Sequence, residues 1–339
     1  MRSSTHSTPF RPLAGVALTA LVGATLLAGC TAPADGGTPD EAPASVQVYL
    51  GTDPVFAPVY YAAQEGLFAE HNVEVGINLF PSGTEAIESY RSSGGGMIVA
   101  GDLPSMRAWL VGDTVGVLPT SWDTKTFSVI VNAGIEEPAD LAGGTIATVV
   151  GSSGSFYAHN YLADNDLTDS VEVINLSPAD MPAALARGDI DGFIWNASTI
   201  NAALAAVPGS YLLNEGSEGY LVNRIIVSAG ADTIAETPEA VERAVAAITE
   251  ACDAIMDDQE AAAEVIAGYL SIETERVLSD WTGVEFDCTF DQAFVDDMTA
   301  EGTVGAEIGL TDGELDWSSM FDVSFLETAD AGKVTGSVE

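Results

Sequence analysis

Apolar and polar positions alternate in the segment VQVYL, where Val46, Val48 and Leu50 share one face in the manner of a β-strand. The pattern breaks at GTDPVFAP and resumes with helical spacing in VYYAAQEGLF, with Pro58 suited to the first turn and Gly66 to the end of that helix. VEVGINLF then reads as a second strand, GTEAIESYRS as a helix, and GMIVAG as a third strand followed by the helical DLPSMRAWLVG. The rhythm repeats further on. FSVIVN is strand-like, ADLAGGTIATVVG leads into the Gly/Ser-rich VVGSSGSFYAHNYL, and SVEVINL precedes SPADMPAALARGDIDGFIW. There Ser177 is the expected N-cap, with Asp180 three residues on in place of the Glu of a capping box. GYLVNRIIVSAG is a long β-rich run that we read, together with FSVIVN, as a crossing between two lobes. From Pro238 to Gly268 the chain is Ala-rich, predicting helices over 238–257 and 259–270, with the acids of MDDQEAAAE on solvated faces. Strands alternating with helices predict an α/β fold with mostly parallel sheets.

The N-terminus departs from this pattern. Arg2 and Arg11 precede the apolar run LAGVALTALVGATLL, which is too short to span a bilayer comfortably but has the flanks of an export signal. The run ends in LAGC, which resembles a bacterial lipobox and implies that Cys30 becomes a lipid-bearing first residue. TAPADGGTPDEAPAS lacks the apolar residues that a core requires and reads as a flexible tether. A body of roughly 290 residues remains, enough for two lobes of ordinary size.

Charge narrows the set of partners. The chain has 51 acidic against 10 basic residues, a formal charge of −41, and loss of Arg2 and Arg11 with the signal makes it −43. Nucleic acid and anionic membrane surfaces would be repelled by such a field, and the acidity fits a saline or alkaline exterior. Beyond Cys30 the cysteines are Cys252 and Cys288. In an exported protein they are either one disulfide closing a loop of about 35 residues, contributing roughly 3 to 4 kcal/mol, or two buried thiols.

Enzymatic signatures are missing. Beyond the signal the histidines are His71 and His159, neither in an HExxH pattern, and no GxxxxGK phosphate loop occurs. Gly151, Ser153 and Ser155 give G-x-S-x-S, which lacks the last glycine of a nucleophile elbow. Asp164, Asp166 and Asp169 are spaced like calcium ligands, but without the glycine and distal Glu of an EF-hand loop they read as a solvated turn. No cofactor or metal is expected, and we do not expect an enzyme.

A binding protein asks for less: loops at the carboxyl ends of strands, small residues and a few aromatics. Those loops carry Thr52, Asp53 and Phe56; Ser82, Gly83 and Thr84; Gly101 and Asp102; Ser121 and Trp122; and, in the second lobe, Ser152, Ser153, Ser155 and Phe156, then Trp195, Asn196 and Ser198. A strand running into Gly and Ser before a helix leaves N–H groups free for a polar ligand, although Ser152 as an ordinary N-cap needs none. Phe56 and Trp195 are alternatively core residues, and Asp53, Asp102, Asn196 and Ser198 alternatively helix caps. Cations near these loops are few: Arg107, Lys125, His159 and Arg224. Phe56, Tyr60, Phe156 and Trp195 would sandwich a flat ring, with Asp53 and Asp102 receiving its N–H or cationic groups.

The segments APVYYAAQEGLFAEHNVEV, SGTEAIESYRSS, MIVAGDLPS, DLAGGTIATVVGSSGSFYAHNYLADNDL, LSPADMPAALARGDIDGFIW and GLTDGELDWSSMFDVSFLE occur in this order. Together they resemble the solute-binding proteins of ABC importers, in the branch that binds sulfonates, taurine, nitrate and thiamine precursors. The resemblance implies a two-lobed type II periplasmic-binding-protein fold with a ligand cleft between the lobes, and it places the loops named above at that cleft. The expected organisation is a signal at 1–29, a tether at 30–45, a first lobe from 46–126 plus 224–330, a second from 127–223, and a tail at 331–339. The expected protein is an extracytoplasmic monomer anchored by lipid on Cys30, delivering a small polar solute to a membrane permease. Alternatives are an exported enzyme on the same fold acting on a small heterocycle, and a sensory lipoprotein.

Overall fold

The computed structural model describes residues 42–217, 219–307, 309, 311 and 315–338. The expected signal, Cys30 and the tether as far as Glu41 lie outside the described residues. Among the described residues ten strands follow in chain order: β1 (Ala44–Gly51), β2 (Val73–Phe80), β3 (Met97–Gly101), β4 (Thr114–Asp123), β5 (Phe127–Val131), β6 (Thr145–Thr148), β7 (Glu172–Asn175), β8 (Gly192–Asn196), β9 (Tyr211–Asn214) and β10 (Asn223–Gly230). They form two five-stranded sheets, ordered β2-β1-β3-β10-β4 and β7-β6-β8-β5-β9, flanked by helices in a two-lobed α/β fold. Both sheets are mixed. In the first, β10 runs against β3 and β4, and in the second β5 runs against β8 and β9, while the other pairings are parallel.

Several local readings change in the structure. β1 begins inside the segment whose composition marks a tether, because Ala44 and Ser45 pair with Val73 and Glu74 of β2. The runs FSVIVN and NRIIVSAG are not themselves the crossing between lobes. β5 is buried along its whole length in the second sheet and β10 in the first, so their continuous apolar character reflects interior strands covered on both faces. The chain crosses instead in residues 124–126 and, among the described residues of the return, 215–217 and 219–222. One carboxylate pins the junction: Asp123 accepts the Lys125 N–H at 2.7 Å, the Thr126 hydroxyl at 2.7 Å and the Asn223 side-chain amide at 2.8 Å.

β4 has no clear signature in sequence because Gly116 and Pro119 interrupt it. It is an edge strand, and Pro119 sits beside a register irregularity where Ile225 pairs with Ser121 and Ile226 with Pro119, a place where a missing N–H is tolerated. Ser177 is not the N-cap of the following helix. Asp180 occupies that position before Met181–Arg187, with Pro182 in the first turn, and the Ser177 carbonyl closes the preceding turn by accepting the Asp180 N–H at 2.9 Å. The Ala-rich region forms helices Pro238–Asp257 and Gln259–Leu270, the spans its spacing predicts. A disulfide joins Cys252, on the first of these helices, to Cys288, and both residues are fully buried.

Candidate functional site

The carboxyl ends of β1, β3 and β8 meet across a small cavity of about 60 Å³. That is room for a few water-sized groups while the lobes are in contact, well below the several hundred Å³ of a pocket holding a larger organic ligand. The first lobe contributes Asp53 and Phe56 from the turn after β1, Ser82, Gly83 and Thr84 from the start of helix Gly83–Ser93, and Gly101 from the end of β3. The second contributes Phe127, Ser152, Ser153, Trp195 and Asn196, and Asn223 and Ile225 line the wall at the returning crossing.

Backbone geometry dictates this convergence. Gly83 lets the helix start press onto β3, since a Cβ there would lie 3.0 Å from the Ala100 side chain. Gly154 serves the same purpose in the second lobe, where a Cβ would lie 3.0 Å from the Trp195 ring. Trp195 is held edge-on to Phe127 with ring centroids 5.6 Å apart, so the cavity is framed by three rings, Phe56, Phe127 and Trp195.

The polar groups join the lobes directly. Asp53 caps the short turn Pro54–Phe56, its Oδ1 accepting the Val55 N–H at 2.9 Å, and its Oδ2 accepts the side-chain amide of Asn196 from the opposite lobe. Asn196 is itself fixed, since its Oδ1 caps helix Ala197–Ala206 by accepting the Thr199 N–H at 3.1 Å. Burial, reinforced by the charges of Asp280 and Asp123 against the opposing Val55 hydrogen bond, pushes the Asp53 carboxyl up to about 7. Among the described residues the cavity lining includes no Lys, Arg, His or Cys.

The raised Asp53 carboxyl has a consequence for stability. An acid whose folded value lies above its unfolded value adds stability that is complete below about pH 4 and is lost as pH rises through about 7. The stability difference between the wild type and Asp53→Asn is therefore expected to move in favour of the variant between pH 5 and pH 8. Denaturation midpoints of both proteins over that range measure it, and a constant difference would mean that Asp53 stays ionised throughout.

The structure separates the residues expected at the cleft. Asp53, Phe56, Gly83, Thr84, Ser152, Ser153, Trp195 and Asn196 line the cavity. Asp102 does not. It is fully buried behind Gly101, its carboxylate accepting the Leu103 N–H at 2.7 Å and the Arg224 N–H at 3.1 Å. Burial raises its carboxyl, opposed chiefly by a hydrogen bond from Ser153 of the other lobe, and the adjoining Glu301 is pushed well above the usual range by burial and by Asp102. Trp122 faces away from the cavity, its indole N–H 3.4 Å from Asp287 and its ring beside Arg224. Ser155 serves its own helix start: its hydroxyl donates to the Ser152 carbonyl at 2.7 Å and accepts the Gly151 N–H at 3.0 Å. Phe156 lines a separate groove with Asn160 and Tyr220, and Ser198 lies in an outer groove, accepting from Arg276. Tyr60 is buried beneath the site, donating to the Gly51 carbonyl. Arg224 points away, its guanidinium 2.5 Å from Asp297 and stacked on Phe294.

Phe127, Asn223 and Ile225 were not anticipated. They sit at the starts of β5 and β10, and a reading of those strands as a crossing hides the fact that their first residues open onto the cleft.

Comparisons with known proteins agree with this architecture. The profile of the family described as NMT1/THI5 like matches residues 53–262. A Brucella abortus protein provisionally named as a binding protein is 27% identical over 219 residues, covering 62% of this chain and 67% of its own. Among solved structures, the alkanesulfonate-binding protein SsuA from Xanthomonas axonopodis pv. citri, bound to MOPS, aligns with a TM-score of 0.69 at 19% identity, over 83% of this chain and 99% of its own. The ligand-binding component of an ABC-type import system from Staphylococcus aureus aligns with a TM-score of 0.70 at 11% identity, over 85% and 99%. The desulfurization enzyme DszB, in complex with biphenyl-2-sulfinic acid, aligns with a TM-score of 0.64 at 15% identity, over 84% and 98%.

Proposed function

This chain belongs to the NMT1/THI5-like family, and from that premise we propose that it is the solute-binding protein of an ABC-type importer, closing its two lobes around one small polar organic molecule. The observation that carries the reading is the contact of the lobes over a ring-lined cavity through Asp53 and Asn196. Solute entry requires that contact to open, and solute binding replaces it, so occupancy and closure are coupled. The similarity to SsuA, a sulfonate-binding protein, and to the Staphylococcus aureus import component supports the class.

The lining argues for the chemistry of the end that enters the cavity. Three aromatic rings suit a flat or apolar group, while Asp53, Asn196 and Asn223 suit N–H donors or a cationic nitrogen. A sulfonate group would meet an acidic carboxyl there and no cation. The neighbouring fold of DszB keeps an enzymatic reading in view, but Cys252 and Cys288 are buried in a disulfide away from this cavity. On our reading the protein is extracytoplasmic, anchored through lipid on Cys30, and hands its solute to a membrane permease. Among the described residues no helix is long and apolar enough to cross a membrane.

Native mass spectrometry of the purified protein, paired with X-ray scattering, tests the proposal. We expect a discrete small-molecule mass that is released on unfolding, and a compact form that expands when that solute is removed. A clean protein mass, with scattering unchanged by amines, heterocycles and sulfonates alike, would overturn it. Chemical conversion of the bound compound would replace it with the enzymatic reading.

A further inference from the structure

The first lobe buries a pair of carboxyls that the ring-lined cavity does not use. Asp102, at the start of helix Asp102–Leu110, and Glu301, on helix Gln292–Glu307, are both buried, and their side chains are hydrogen-bonded to each other. Two carboxyls share a hydrogen bond only when one of them keeps its proton. Their surroundings determine which one. Asp102 accepts the N–H groups of Leu103 at 2.7 Å and Arg224 at 3.1 Å, and such donors favour an ionised acceptor. Among the described residues no N–H or O–H group donates to the buried Oε1 of Glu301, so Glu301 is the acid of the pair.

The pair lies against the second lobe. Helix Ser153–Asp164 begins there, and its Ser153 hydroxyl donates to Asp102 from a seat so close to Gly101 that a Cβ on that glycine would lie 2.4 Å from the Ser153 Oγ. Further along the same helix, Phe156 and Asn160 line one groove with Glu301 and Asp297. The charged groups around Glu301 are Asp102, Arg224 from β10 and Asp297 from its own helix, the last two ion-paired at 2.5 Å. Tyr220 of the returning crossing lines the groove as well, and among the described residues helix Ser153–Asp164 brings no titratable group to it. Burial and the neighbouring Asp102 hold the Glu301 carboxyl well above its usual range, against the Arg224 guanidinium. Parting the lobes takes the Ser153 donor from Asp102, admits water to both carboxyls and returns Glu301 toward ordinary acidity.

We propose that Ser153, Asp102 and Glu301 form a proton-linked latch between the lobes: closing the cleft seats the Ser153 hydroxyl on Asp102 and traps a proton from solvent on Glu301, so the closed form holds one proton more than the open form. The latch rests on the reading that the lobes open and close around a solute. Because the Glu301 value is higher in the closed form, its contribution to closure is complete below the open-state value and is lost as pH rises through the closed-state value. Within that window the ratio of closed to open form falls by up to about tenfold per pH unit. The protein therefore grips its solute more firmly on the acid side and releases it on the alkaline side.

X-ray scattering of the solute-free protein from pH 5 to pH 9, paired with infrared spectroscopy, tests the latch. Every protein compared carries Asp53→Asn, which removes the other raised carboxyl at the lobe contact. In that background we expect the radius of gyration to rise with pH, and the rise to be lost in Glu301→Gln, whose neutral amide keeps a donor beside Asp102 at every pH. Ser153→Ala should expand the protein even at pH 5. Labelling with carboxyl-13C glutamate should reveal at pH 7 the C=O stretch of one protonated glutamic acid, absent from Glu301→Gln. That band is read on the parent protein, so a Glu301→Gln variant that does not fold leaves the test in force. A pH response retained in Glu301→Gln, no protonated glutamic acid at pH 7, or a Ser153→Ala variant as compact as its parent would overturn the latch. So would a radius constant over the whole range, which would make the pair a fixed part of the fold. None of these results bears on whether a solute is bound, which the native mass spectrum tests separately.

Discussion

Removing the Cys252–Cys288 disulfide, by reduction or in a Cys252→Ala/Cys288→Ala double variant, is expected to lower the unfolding free energy by about 4 kcal/mol. The bond joins residues 36 apart in sequence, and loop-closure entropy in the unfolded chain accounts for that magnitude. What the loop contains makes the loss local in its effect. It holds helices Gln259–Leu270 and Thr274–Asp280, and the latter carries Arg276, which reaches Ser198 of the opposite lobe, and leads into Trp281, whose indole N–H donates to the Pro54 carbonyl at 2.9 Å beside Asp53. The bond therefore braces the segment that supports one wall of the cleft. Guanidinium denaturation with and without reductant measures the effect. Coincidence of the reduced wild type with the double variant is expected, and an unchanged midpoint would show that the pair contributes nothing.

Replacing Trp195 with alanine is expected to weaken solute binding on the order of 100-fold, about 3 kcal/mol. Trp195 presents a large ring to the cavity at the end of β8 and is only 7% exposed, so truncation removes the principal apolar wall and admits water. The ring also packs on Phe127 and over Gly154, so part of the cost falls on the fold itself. Trp195→Phe separates the two effects, because a smaller ring keeps the packing against Phe127 while giving up part of the contact with solute. Affinities for the solute identified by mass spectrometry, taken below the melting temperature of each variant, provide the measurement. Equal affinity in Trp195→Ala and wild type would remove the cavity as the binding site.

Legibility varied with how local the determining physics is. Helices Pro238–Asp257 and Gln259–Leu270 are set by composition, a Pro in the first turn of one and Asp258 capping the other, and both can be read directly from the chain. β4 escaped because its edge position, which is a tertiary fact, is what permits Gly116 and Pro119 inside it. The loops of the site were visible as small and polar residues after strands, yet the direction of each side chain was not. Ser152, Ser153 and Ser155 are nearly indistinguishable in sequence, but one turn of helix sends Ser153 across to Asp102 and returns Ser155 to its own backbone. Asp53 and Asp102 occupy equivalent places after β1 and β3. Asp53 reaches the cavity, whereas Asp102 is drawn inward by the backbone N–H of Arg224, a residue 122 positions away. Asn223 and Phe127 were hidden for a related reason, since their strands read as connections until their pairing was known.

The placement of β10 has a consequence for the order of assembly. β10 fills the gap between β3 and β4 in the first sheet, yet it is reached only after β5 to β9 have been made. As the chain emerges, every strand of the second sheet is available by Asn214, whereas the first sheet still has two unsatisfied edges and cannot be completed until Gly230. The middle of the chain thus supplies the first finished sheet. Asp123 and Asn223 are paired across β4 and β10, so the whole intervening segment leaves and rejoins one antiparallel hairpin through neighbouring residues. Joining those two positions by a tight turn turns β4 and β10 into a simple hairpin, which makes the first lobe a candidate for separate refolding, with the second lobe as an excisable insert.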